Sequence, residues 1–134
     1  MGGAGAWQAA TTKLFAAVAP VCGAGYAPTA LGEAPLSDLP IWAFHGANDV
    51  VVPVSVTDSN VETLRAARGK GNARSAEVRY TRFDSSPAPV GWGDYDGHAS
   101  WIQVYSAEPE ADTGLFQWLL EHRRPESLGL GGGS

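Results

Sequence analysis

The chain has 134 residues, enough for one domain, with 9 Lys and Arg against 14 Asp and Glu and a formal net charge of −5. Its basic residues are scattered, apart from Arg123 and Arg124, which excludes the clustered cationic face that nucleic-acid phosphates require. A 44% hydrophobic content excludes wholesale disorder, and the single cysteine, Cys22, excludes an internal disulfide or a multi-cysteine zinc site.

Residues 2–13 are rich in small side chains, with Ala6, Ala9 and Ala10 near helical spacing. Gly2, Gly3 and Gly5 lower helix propensity there but permit close approach to a sheet. Residues 16–21 predict a short strand, stopped by Cys22-Gly23-Ala24-Gly25, and residues 26–38 form a loop dotted with Pro and Gly. Residues 41–44 predict a strand without alternation, as expected when helices cover both sheet faces. Residues 54–68 predict a helix with Val54, Val61 and Leu64 on its apolar stripe and Glu62, Arg65 and Arg68 away from it.

Residues 77–83 read as the next strand. Residues 84–97 form a loop containing Pro87, Pro89, Gly91 and Gly93, and its length marks a functional or flexible element. Residues 113–123 predict the clearest helix, with Leu115, Trp118 and Leu119 inward. Glu110 and Asp112 precede it and His122, Arg123 and Arg124 end it, which complements the helix dipole; Pro125 stops it. Residues 126–134 are a Gly-rich, flexible tail. No apolar run approaches the ~18 residues of a membrane span. The start lacks the basic segment and long apolar core of a secretory signal, and the compartment stays open.

The chemistry-bearing residues gather at two predicted strand exits. In Phe44-His45-Gly46-Ala47-Asn48-Asp49-Val50-Val51-Val52-Pro53 a carboxylate lies just past a buried strand, where α/β folds dock ligands. In Gly97-His98-Ala99-Ser100-Trp101 an imidazole follows the next strand in a glycine-bounded loop. From position alone, Asp49 is either a catalytic acid or a cap for the helix near Val54. His45, one residue before a glycine at a strand end, reads as a packed or hydrogen-bonded structural histidine, and His122 as a helix-end residue. Cys22 reads as a small buried hydrophobe. Ser100 is a poor candidate nucleophile, because two residues from His98 it points elsewhere in most local geometries. Asp94-x-Asp96-Gly97 lacks the flanking acids of a calcium loop, and a metal site on His45, Asp49 and His98 matches no recognised ligand spacing.

Taken together, Phe44-His45-Gly46-Ala47-x-Asp49-x-x-Val52-Pro53, Val78-Arg79-Tyr80-Thr81 and Gly97-His98-x-Ser100-Trp101 resemble the carboxyl-terminal half of a serine α/β-hydrolase. The nearest groups are the phospholipase/carboxylesterase, dienelactone-hydrolase-like and prolyl-oligopeptidase-like esterases. The resemblance implies an α/β fold class: a partial α/β-hydrolase of about three parallel strands with flanking helices, spanning residues 1–125. The opening Met1-Gly2-Gly3 is similar to the stretch that follows the nucleophilic serine in such families, and no Gly-x-Ser-x-Gly occurs in the chain.

The implied activity is hydrolysis of carboxylic esters or thioesters through an acyl-enzyme, without a cofactor or metal. Asp49 would orient the imidazole and His98 would be the general base. Met1 occupies the place whose N–H would belong to the oxyanion hole, with a charged terminal amine there instead. By position, Trp92, Tyr95 and Trp101 either line a substrate pocket beside the base or pack as a surface loop. Loss of the nucleophile costs on the order of 10⁶ in kcat, so this chain alone is expected to be inactive. The alternatives are a non-catalytic binding module that keeps the crevice, or a fragment without independent function. The strand at 16–21 would also expose an apolar edge open to self-association.

Overall fold

A computed structural model of the chain describes residues 1–12, 14–25, 39–69, 76–106 and 113–124. The central element is β1 (Ile41–Gly46), in which all six residues are buried. Side chains alternate across a strand, so two apolar faces result. Ile41 and Ala43 meet Trp7 and Ala10 of α1 (Gly2–Ala10) and Val61 and Leu64 of α2 (Ser55–Gly69). Trp42 and Phe44 meet Val104 of α3 (Ser100–Val104) and Leu115 and Trp118 of α4 (Leu115–Glu121). Helices therefore cover both sides of the sheet, and the unbroken apolar run of β1 follows from that.

β1 pairs in parallel with β2 (Val78–Phe83), from Ile41 opposite Val78 to Gly46 opposite Phe83. A parallel pair needs a long crossover, and α2 supplies it. On the other side of β1, residues 18–21 run parallel through isolated bridges, Val18 to Ile41 and Val21 to Phe44. The expected strand at 16–21 is thus present only as bridges, and Pro20 explains why. Val18 N–H donates to Pro40 O at 3.1 Å, Trp42 N–H to Val18 O at 3.1 Å, Phe44 N–H to Pro20 O at 2.9 Å and Cys22 N–H to Phe44 O at 2.9 Å. The missing rung is the one that would need an N–H on Pro20.

Other elements differ from expectation at their ends. α1 stops at Ala10 because the Thr11 and Thr12 hydroxyls donate to Gln8 O at 2.8 Å and Ala9 O at 2.7 Å, taking up its last carbonyls. α4 is two residues shorter at each end than the predicted 113–123, and it starts after Gly114 in the left-handed region, φ 76°. The short helix α3 was not anticipated; five residues without a side-chain cap leave little periodic signal. The loop at 26–38, the acids Glu110 and Asp112 and the tail at 126–134 lie outside the described residues.

The stripe of α2 needs correction. Its buried face carries Thr57, Asn60, Val61, Leu64 and Arg68, so Arg68, expected toward solvent, is inside. Its guanidinium donates to Ala76 O at 2.6 Å, Glu77 O at 3.0 Å and Leu39 O at 2.7 Å, joining the entrances of β1 and β2. The carbonyls that its terminal nitrogens meet make this buried cation tolerable.

Of the three α1 glycines, only Gly3 has the expected close approach. A Cβ there would strike Val21 O and the Gly23 main chain, whereas one at Gly5 would meet nothing within 4 Å. Gly3→Ala should therefore destabilise the protein by about 1–3 kcal/mol through overpacking. Gly5→Ala should stabilise it by up to about 1 kcal/mol through helix propensity. Urea denaturation midpoints of the two variants, moving in opposite directions, check this.

Candidate active site

β1 ends at Gly46, and the chain turns through Ala47 and Asn48 to Asp49, whose N–H donates to Gly46 O at 3.1 Å. The Asp49 side chain is fully buried. Its Oδ1 accepts the N–H groups of Val51 and Val52, both at 2.8 Å. Its Oδ2 accepts from His98 Nδ1 at 2.9 Å and from His45 Nε2 at 2.9 Å. Four donors thus surround one buried carboxylate, the condition under which a buried charge is tolerated.

The same contacts assign the tautomers. His45 Nε2 faces two acceptors, Asp49 Oδ2 and Val52 O at 2.9 Å, so that nitrogen carries the hydrogen. Its Nδ1 then accepts from the Thr57 hydroxyl at 2.8 Å, which ties the network to α2. His98 Nδ1 faces a carboxylate and likewise carries hydrogen, leaving the lone pair on Nε2.

The loop carrying His98 is held against the Asp49 turn along its main chain. Ser86 N–H donates to Asn48 Oδ1 at 3.1 Å, Gly97 N–H to Ser86 O at 2.8 Å and Val50 N–H to Asp96 O at 3.3 Å. Ser86 Oγ donates to Gln103 Oε1 at 2.6 Å, anchoring the loop to α3. Gly97 has φ 74°, and a Cβ on it would collide with the backbone of Asn48 and Asp49. Only glycine lets the two turns touch at this point. Asp96 serves this loop as well, accepting Ala88 N–H at 2.8 Å.

His98 lies at the wall of a cavity of about 370 Å³, with Met1, Gly2 and Gly3 at the start of α1 on one side and Tyr95, Trp101 and Tyr105 on the other. The His98 ring meets Trp101 edge-on at 5.4 Å and lies 6.2 Å from Tyr95. Met1, Tyr95 and Trp101 therefore share the cavity with His98, whereas Trp92 does not. It packs against Tyr95 at 5.9 Å and lines a separate hollow of about 300 Å³ with Gly91 and Asp94. Ser100 is fully buried in α3 and is not among the lining residues.

Two residues have a larger part here than the sequence suggested. His45 is buried and hydrogen-bonded as expected, but its partner is the same carboxylate oxygen that holds His98. Cys22 lines the cavity, and its sulfur, an Asp49 oxygen and a His98 nitrogen lie within 4.8 Å of one another. Burial pushes the Cys22 thiol up from its ordinary 9.0 to about 11; the Ser100 hydroxyl beside it partly offsets that, and the Asp49 charge adds to it. No sequence signal ties residue 22 to residues 49 and 98, because their meeting depends on strand order.

No family model matches the chain, and no curated protein matches it. Among solved structures, the chain is similar to a thermostable esterase known from its crystal structure, with 32% sequence identity and a TM-score of 0.64. The match covers 90% of this chain and 28% of the esterase chain, so these residues span little more than a quarter of that protein.

Two outcomes follow. Asp49→Asn would set an amide N–H₂ or a single weaker acceptor against two imidazole N–H groups, so His98 should shift to the Nε2–H tautomer. Imidazole ¹⁵N shifts measure this, and an unchanged tautomer would contradict the hydrogen-bond assignment. The Cys22 thiol should react with a disulfide reagent roughly 100-fold more slowly in the native than in the unfolded chain at about pH 8, and the gap should close near pH 11. Because folding raises this pKa, the native chain holds the proton longer. The corresponding stability is present below about pH 9 and lost as pH rises to about 11.

The chain thus has a mixed α/β fold that matches an esterase, with a buried carboxylate just past β1 held by one imidazole from the end of β1 and one from the loop after β2.

Proposed function

We propose that Asp49 and His98 are the acid–base pair of a serine-esterase active site that hydrolyses small carboxylic esters or thioesters. The observation that carries this reading is the 2.9 Å hydrogen bond from His98 Nδ1 to the buried Asp49 carboxylate, at the wall of the cavity. An imidazole held through Nδ1 presents the Nε2 lone pair, the atom a general base uses. It would take the proton of an attacking hydroxyl and return it to the leaving alkoxide or thiolate. Asp49 would stabilise the imidazolium between the two steps.

The start of α1 supports the oxyanion role proposed for Met1. Main-chain N–H groups in the first turn of a helix have no partner within it, and the helix dipole favours negative charge there. Met1, Gly2 and Gly3 line the same cavity as His98. Tyr95 and Trp101 would border the acyl group, in a volume of about 370 Å³ that suits a short chain.

No serine or threonine hydroxyl lines the cavity among the described residues. These residues alone are accordingly expected to lack useful turnover, since removing the nucleophile costs on the order of 10⁶ in kcat. The same observation favours a second reading, a non-catalytic module that binds esters in the crevice.

A chimera separates the two. The part of the thermostable esterase outside the matched region is joined to this chain, and the chimera is assayed on a short-chain activated ester. Turnover that falls about 10⁴-fold in Asp49→Asn supports the esterase reading. A folded chimera that binds the ester without turnover supports the binding module, and turnover indifferent to His98→Ala rejects the acid–base assignment.

A further inference from the structure

The cavity contains one group that ester chemistry leaves unused. Cys22 closes the bridged segment 18–21 with φ 41°, a left-handed conformation uncommon outside glycine. That conformation holds its sulfur at the cavity wall, where the Cys22, Asp49 and His98 donor atoms all lie within 4.8 Å of one another. A second observation points to the same place. The Ser100 hydroxyl, fully buried in α3, lies beside the Cys22 thiol. A thiol, a carboxylate and an imidazole thus converge beside an accessible cavity.

We infer that Cys22, Asp49 and His98 form a binding site for a borderline-soft divalent cation of the zinc class. Thiolate, imidazole and carboxylate are the ligands such ions take, at about 2.3, 2.0–2.1 and 2.0–2.2 Å. In a tetrahedral site those lengths place donor atoms about 3.3–3.6 Å apart. Asp49 Oδ2 and His98 Nδ1 are already 2.9 Å apart and need only a slight opening. The sulfur, already within 4.8 Å of a donor atom on each partner, closes the remaining gap by a side-chain torsion. The fourth position faces the cavity and would hold a water.

The proton balance is definite. The cation takes the place of the hydrogen between Asp49 and His98, the imidazole binding through Nδ1 and moving its hydrogen to Nε2. The Cys22 S–H proton is released to solvent, so one proton leaves per cation bound. Thiolate, carboxylate and dication sum to zero charge, and a buried neutral cluster is far cheaper than a bare buried thiolate. The Val51 and Val52 amides would continue to hold Oδ1 and His45 would continue to hold Oδ2, the supporting contacts a metal-bound carboxylate needs. The site stands on this geometry whether or not the same residues hydrolyse esters. Where they do, the cation would occupy the base and inhibit.

Cobalt(II) and zinc titrated into the full chain test the site. Cobalt should give a thiolate-to-cobalt charge-transfer band that saturates at one equivalent and is bleached by zinc. Calorimetry in buffers of different ionisation enthalpy should count one proton released per zinc. Cys22→Ser should abolish the band. Asp49→Asn and His98→Gln, with unchanged circular dichroism, should each weaken zinc binding at least roughly tenfold; they carry the test if Cys22→Ser does not fold. Absence of the band at millimolar cobalt, or a band and zinc affinity unaltered by both Asp49→Asn and His98→Gln, would overturn the site.

Discussion

The Asp49 carboxylate is the interaction on which the rest of this region depends. A buried charge without partners is prohibitively costly, and here four hydrogen bonds distribute that cost over three parts of the chain. The two amide donors shape the turn 50–52 that leads into α2. His45 connects the carboxylate to β1 and, through Thr57, to α2. His98 connects it to the loop that follows β2. Each donor fixes the carboxylate for the others, so the imidazole at the cavity wall is held by an already ordered acid.

The sheet makes this arrangement possible. Parallel strands bring the exits of β1 and β2 to the same rim, with Gly46 opposite Phe83, and the turns that leave them meet there. Gly97 lets the two turns approach to main-chain contact. Beneath the rim, Trp42 and Phe44 stack at 4.8 Å, and Trp42 meets Trp118 edge-on at 5.5 Å. This rigid aromatic layer on one face of β1 leaves little freedom for the strand that carries His45.

Much of this was legible in the residues. The apolar run at 41–44 announced a strand covered on both faces, and an acid and then a histidine at successive strand exits placed Asp49 and His98 near each other. What could not be read was contact across strands. His45 sharing Oδ2 with His98, and Cys22 reaching both Asp49 and His98, depend on the order in which the strands lie, which local pattern does not encode. Arg68 misled for a chemical reason: a guanidinium predicts solvent unless carbonyls await it, and those carbonyls come from the distant residues 39, 76 and 77. Pro20 could have been read as a gap in pairing, since the missing donor is visible in the residue itself.

The buried guanidinium of Arg68 gives the sheet an electrical polarity. A cation fastens the entrances of β1 and β2, and an anion gathers the turns at their exits. The two fasteners bond different described residues and act at opposite rims, so loosening one need not loosen the other. A lysine at position 68 would present a point charge in place of a planar fork, satisfying fewer of the three carbonyls. Such a chain would fray where its strands begin while keeping its carboxylate and imidazole in register where they end.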